Sequence, residues 1–225
     1  RAFGGLAEHT DWANVHAVRE QVWNRVFPAM VRNRRGVLED SFWYIARHTH
    51  LHPGQLIWLC NRIAQVARDE GTFPPEISPR AIVKGVRSLE SEIAHSIMAP
   101  YAAIYPKINE VMVAAFRQAP ARMRVADALK LYRKAAQVWP REYFPLDDWT
   151  LVTMAAEVGV IGKVVRHTAQ YHIAQFRYHM DSELTFEKEE MCAVHPAFYR
   201  LFETPSDAAD LRTVCPVVIA EEDDD

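Results

Sequence analysis

The sequence predicts an all-α protein: a compact multi-helix bundle, built as one body or as two small helical lobes, with extended N- and C-terminal arms. Three observations carry this. Apolar residues recur at spacings of three and four in segment after segment between residues 11 and 182. No alternation of apolar and polar residues lasts long enough to describe a half-buried strand. Prolines and glycines fall between the periodic segments, and no internal repeat of fixed period is present. The predicted organisation is an N-terminal arm over residues 1–10, a helical core over 11–182 with a lobe boundary at 72–79, and an acidic, proline-containing arm over 183–225.

In chain order, Thr10 or Asp11 caps a helix running towards Phe27, with Trp12, Val15, Val22 and Val26 on its stripe and Pro28 as its stop. Arg32, Arg34 and Arg35 then precede Gly36 as a small basic loop or helix end. Leu38 to Gly71 reads as two helices broken at Pro53-Gly54, the second striped by Leu56, Leu59, Ile63 and Val66 and stopped by Gly71. Proline-rich TFPPEISP (72–79) follows, and Ser78 with Pro79 opens a helix carrying Ile82, Val86, Leu89, Ile93 and Ile97. Pro100 and Pro106 interrupt the chain before a helix over Lys107 to Gln118. Asp147 or Asp148 caps a helix beginning at Trp149, and Thr150 to Met180 reads as helix, break at Gly159 and Gly162, helix.

The most basic stretch lies in the middle, from Val111 to Trp149. Val125, Leu129, Tyr132, Ala136 and Trp139 form one apolar stripe, while Lys130, Arg133, Lys134 and Arg141 fall on another face of the same expected helix. Arg117, Arg122 and Arg124 precede them. A helix docked by its stripe while its far face presents cations suits phosphate binding. Tyr132, Trp139 and Tyr143 sit among the cations as stacking or core residues. Charge is also segregated along the chain. Residues 1–180 hold 23 Lys and Arg against 16 Asp and Glu (net +7), and residues 181–225 hold 3 against 13 (net −10). An acidic tail ending in Glu221, Glu222, Asp223, Asp224 and Asp225 can compete with a polyanion for the basic body, or simply be a solvated terminus.

Several function classes find no support. GxxxxGK[ST], GxGxxG, GxSxG and HExxH are all absent, so no nucleotide loop, hydrolase elbow or zincin motif is expected. Cys60, Cys192 and Cys215 have no CxxC spacing, which points to a reducing compartment and incidental thiols. His48, His50 and His52 alternate, but no nearby carboxylate or cysteine completes a metal set. His167, His172 and His179 are placed on one helix, packed rather than catalytic. The expectation is therefore a non-enzyme without metal or cofactor. No run approaches the roughly 20 apolar residues of a membrane span, so a cytoplasmic location is expected. The chain begins at Arg1, which reads as a fragment or processed chain whose missing start could hide a leader.

Two resemblances sharpen the reading. Leu151–Gln170 (LVTMAAEVGVIGKVVRHTAQ) resembles the helix-turn-helix of bacterial repressors, with Ala155, Gly159, Val160 and Val165 at its pattern positions. That resemblance implies duplex contacts from Lys163, Arg166 and His167. Ile45–Leu59 matches more loosely. A second resemblance covers more of the chain. LIWLCNRIAQVARDEGT running into a proline-rich loop, LKLYRKAAQVWP followed by Asp148-Trp149, and an irregular final arm are similar to the coat and nucleocapsid proteins of flexible filamentous plant viruses. It implies a helical fold, single-stranded RNA held in a basic groove, self-association into an oligomer or filament through terminal arms, a virion or host-cytoplasm location, and Arg133 as a phosphate contact. The expected interface comprises Arg32, Arg34, Arg35, Arg117, Arg122, Arg124, Lys130, Arg133, Lys134, Arg141, Lys163 and Arg166. The alternatives are a helix-turn-helix DNA-binding regulator and a protein–protein adaptor.

Overall fold

Alongside its helices the chain carries a five-stranded sheet and a two-stranded one, so it is mixed α/β and the all-α expectation is corrected. The computed structural model describes residues 10–11, 14–72, 76–139, 147–179, 183–206 and 210–216. The chain divides into two compact units, one of residues 1–46 and 51–89, the other of residues 47–50 and 90–225.

In the first unit, α1 (Val15–Gln21) starts at Asn14, whose side-chain oxygen accepts the Ala17 amide at 3.1 Å. It ends well short of Phe27. Trp23 instead stacks on Phe27 at 4.0 Å and meets Phe42 edge-on at 5.0 Å. β1 (Met30–Arg32) and β2 (Leu38–Asp40) pair antiparallel, with Val31 opposite Glu39. Asn33 makes their turn: its Oδ1 accepts the Arg35 and Val37 amides at 2.9 and 3.1 Å, and Gly36 takes φ +79°. Arg32, Arg34 and Arg35 thus belong to a hairpin and not to a helix end.

Asp40 Oδ1 accepts the Phe42 and Trp43 amides and so launches α2 (Ser41–Ala46). His52 Nδ1 accepts the Gly54 amide at 3.1 Å and caps α3 (Pro53–Asp69), which buries Leu59, Ile63 and Val66. α4 (Pro79–Met98) begins where the sequence places it, with Ser78 Oγ accepting the Ala81 amide at 3.1 Å. Its Ile82, Val86, Leu89, Ile93 and Ile97 are all buried. α3 crosses α4 closely at Gly85, where an added Cβ would lie 2.8 Å from Ile63 Cα.

The second unit holds α5 (Ile108–Phe116), β3 (Arg122–Arg124), α6 (Val125–Lys130), α7 (Tyr132–Ala135), α8 (Asp148–Glu157), β4 (Ile161–His167), β5 (Tyr171–Gln175), β6 (Met191–Val194) and β7 (Thr213–Pro216). The sheet order is β3-β6-β4-β5-β7, antiparallel throughout except for the parallel pair β5–β7.

Three expectations fail in this unit. The basic helix is not continuous. Leu131 donates its amide to the Ala128 carbonyl three residues back, which tightens the turn and separates α6 from α7. Val125, Leu129 and Trp139 are still buried, so the stripe faces the core although the helix breaks. The predicted helix after Gly159 is a hairpin. Gly159 ends α8 at φ +78°, and a Cβ there would meet the His50 ring at 2.6 Å. The β-branched run Ile161, Val164, Val165 then favours strand. Gly162 admits the neighbouring backbone, since a Cβ would lie 2.6 Å from the Gln175 carbonyl oxygen. The expected C-terminal arm supplies β6, an interior strand between β3 and β4, and β7 at the far edge. Both strands are buried along almost their whole length, so their sequence shows no alternation.

Candidate functional site

The cleft that gathers predicted cations lies between α6, α7, the start of α8 and the turn before β6. Its walls are built by the sheet. β3 pairs with β6 through Met123 opposite Cys192, and that pairing brings the turn at residues 187–190 against the start of α6. The Val125 amide donates to the Glu190 carbonyl at 2.9 Å and the Ala126 amide to the Lys188 carbonyl at 3.0 Å. The opening amides of α6 are thereby satisfied without a side-chain cap. Opposite, Asp147 Oδ1 accepts the Thr150 amide at 2.6 Å and caps α8. Hydrogen bonds from the Thr150 side chain and amide lower the Asp147 pKa.

Between these walls is a space of about 510 Å³. Leu129 and Tyr132 form its apolar side, Lys130, Arg133 and Lys188 its cations, and Asp147 and Asp148 its far rim. Lys130 is paired with Asp127 at 2.6 Å, and that ammonium lowers the Asp127 pKa. Arg133 and Lys188 are exposed and have no ion-pair partner among the described residues. Among the described residues the lining contains no histidine, cysteine, serine or threonine. Its cations, phenol and apolar floor suit anions and rings.

The other predicted cations are mostly occupied within the chain. Arg117 pairs with Glu203 at 2.9 Å, and Lys134 donates to the Arg117 carbonyl at 3.5 Å. Arg122 pairs with Asp210 at 3.0 Å. Lys163 pairs with Glu190 at 2.5 Å and pulls that carboxyl down. Arg124 is exposed at the end of β3, and Arg166 is exposed on β4. Arg32 donates to the Gly36 carbonyl, and Arg34 and Arg35 share that hairpin turn in the first unit. Arg141 and Tyr143 lie outside the described residues.

The helix-turn-helix at Leu151–Gln170 is corrected, because Lys163, Arg166 and His167 lie on a strand. His167 and His172 sit on neighbouring strands of the hairpin and not on one helix. The alternating histidines diverge. His48 faces Glu90 at 3.5 Å, His50 stacks on Tyr178 at 4.1 Å, and His52 caps α3. No group of three or more metal-ligating side chains occurs among the described residues. Burial raises the Cys60 thiol to about 11 and the Cys192 thiol to about 12, so neither is an activated nucleophile. No helix among the described residues is long and apolar enough to cross a membrane.

The sequence reading missed Lys188, hidden among Glu187, Glu189 and Glu190. Only the strand pairing turns it towards α6. It also missed Asp210 and Arg212, for which no local signal exists.

No protein-family model, no curated protein and no solved structure matches this chain. The coat-protein resemblance stands on its quoted segments alone, and the helical fold it implies is not the fold of this chain.

Proposed function

We propose that the second unit is a non-catalytic binding module that holds single-stranded nucleic acid, RNA in the first place, in the cleft between α6, α7 and α8. The observation that carries the reading is the pair of exposed cations beside Tyr132, Arg133 and Lys188, which have no ion pair among the described residues, while Arg117, Arg122 and Lys163 are consumed by carboxylates. Phosphates replace counterions at Arg133, Lys188 and Lys130, and a base lies against the Tyr132 ring. Such binding tolerates sequence and weakens with salt.

A duplex reading has one observation in its favour. α5, β3, the α6–α7 pair, α8 and the β4–β5 hairpin follow one another in the order of a winged helix-turn-helix. The helix that would enter the groove argues against it. α8 contains no lysine or arginine with which to hold the phosphates that flank a groove.

The test is titration of a labelled single-stranded RNA, and a duplex of the same sequence, at two salt concentrations. It uses the native chain and an Arg133→Glu, Lys188→Glu variant. The expected result is single-strand binding that falls steeply with salt and drops at least about tenfold in the variant. No salt-sensitive binding by the native chain, or an unchanged affinity in the variant, overturns the reading. Electron microscopy of the same mixture reads the assembly that the coat-protein resemblance implies.

A further inference from the structure

Away from the cleft, in the same unit, one carboxylate gathers three basic side chains. Asp210 Oδ2 accepts from Arg122 Nη2 at 3.0 Å, from His172 Nε2 at 2.8 Å and from Arg212 Nη2 at 3.0 Å. Its Oδ1 accepts from Arg212 Nε at 2.8 Å and from the Arg212 amide at 3.1 Å. β3 and β7 are opposite edges of the sheet. Laid flat, four inter-strand steps would set them about 19 Å apart. Arg122 of β3 meets Asp210, three residues ahead of β7, across that span.

These contacts determine the tautomers. Asp210 is an acceptor only, so His172 carries its proton on Nε2 and presents a lone pair at Nδ1. His167 Nδ1 lies 2.7 Å from that lone pair and must be the donor, which leaves the second lone pair of the His167 ring at its exposed edge. Arg122 Nη1 also faces His172 Nδ1, at 3.5 Å. Among the described residues, the charged and titratable groups facing His172 are therefore Arg122 from β3, His167 from β4, and Asp210 with Arg212 from the segment before β7.

One added proton on the pair leaves an N–H···N bond between the rings, now charge-assisted. Two added protons put an N–H on Nδ1 of both rings. Two N–H groups then oppose each other at the distance of a hydrogen bond, with the Arg122 guanidinium beside them. Four cations surround a single carboxylate. The part that can yield is His167, exposed at the end of β4 beside the Thr168–Gln170 turn. That turn holds the start of β7, since the Gln170 carbonyl accepts the Thr213 amide at 3.0 Å.

We propose that His167, His172 and Asp210 form an acid-released catch, which at neutral pH fixes the β4–β5 turn and the first rung of β7 and on double protonation of the imidazole pair lets both go. Burial, with Arg122 second, holds the His172 pKa below the ordinary histidine value, so release comes on the acid side of it.

The test is amide hydrogen exchange by NMR on the full chain at pH 7.5 and 5.0, expressed as protection factors. The Thr213 amide is expected to lose protection at least tenfold at pH 5.0, while Ala193 in interior β6 keeps its own. His167→Gln is the informative variant, because its amide can donate to His172 Nδ1 or accept from it. It should keep Thr213 protected at both pH values. Equal protection of Thr213 at both pH values in the native chain, parallel loss at Ala193, or loss in the Gln variant overturns the proposal. Imidazole ¹⁵N shifts of the native chain at pH 7.5 give an independent reading. They should show His172 protonated on Nε2 and His167 on Nδ1, and the reverse pattern overturns it.

Discussion

Two places in the second unit use the same residue types to opposite ends. In the cleft, Arg133 and Lys188 stand exposed with no ion pair among the described residues. Around Asp210, Arg122 and Arg212 spend their donors on a carboxylate that the structure has largely covered, and His172 is 3% exposed. The difference lies in the carboxylate and not in the cations. Where folding delivers an acceptor from a distant stretch, an arginine becomes a structural tie between strands. Where it delivers none, the same side chain is left for a ligand. The Arg122 ion pair spans 88 residues of sequence, and no inspection of its neighbours would have revealed it.

The sharpest way to break this comparison is Asp210→Ala. It strips Arg122, Arg212 and His172 of their common acceptor, and should lower unfolding stability by about 2–4 kcal/mol in urea denaturation. Next comes Arg122→Met, which keeps the apolar stem and removes one charge-assisted bond. It should cost about 1–2 kcal/mol, and a value near zero would mean that the β3 edge needs no tie. The third is the pH dependence. The unfolded chain takes up a proton at the ordinary histidine value while native His172 resists it, so stability is complete above about pH 6.5 and declines as pH falls below it. Asp210 is held far below the usual carboxylate range, chiefly by Arg212, so its own contribution is lost only at still lower pH. Denaturation midpoints between pH 8 and pH 5 check the sign, and His172→Gln should flatten that limb. The smallest effect is expected in the cleft. Arg133→Ala with Lys188→Ala should leave stability within about 0.5 kcal/mol of the native chain while weakening RNA binding. A large stability loss there would make the cleft cations structural and erase the contrast.

Much of the helical half of the fold was legible. The stripe from Ile82 to Ile97 is buried as read, Ser78 and Pro79 open α4, Asp147 caps α8, and Gly71 stops α3 at φ +71°. These are local signals: a cap, a period and a left-handed glycine act within a turn or two of themselves. The sheet was not legible, for two reasons. β6 and β7 are buried along nearly all of their residues, and β5 at its three central ones, and so they lack the period-two pattern. β4 places Ile161 and Val165 four apart, which imitates a helix, although its β-branched run was a usable counter-signal. In the candidate site, Lys130 and Arg133 were readable from the basic stretch. Lys188 was not, because its neighbours are glutamates and its placement follows from β3 pairing with β6.

Readable from the chain alone were α4 with its Ser78 cap, α8 with its Asp147 cap, the apolar stripe that runs from Val125 to Trp139, and a basic middle followed by an acidic end. Each depends on residues within a few positions of one another. Only folding puts a segment near the C-terminal end between β3 and β4, spends Arg117, Arg122, Lys130 and Lys163 on carboxylates, and leaves Arg133 exposed beside Tyr132 together with Lys188, which was outside the expected interface. Strand pairing and ion pairing join residues that are near in space at any distance in sequence, and only the folded chain states which ones meet.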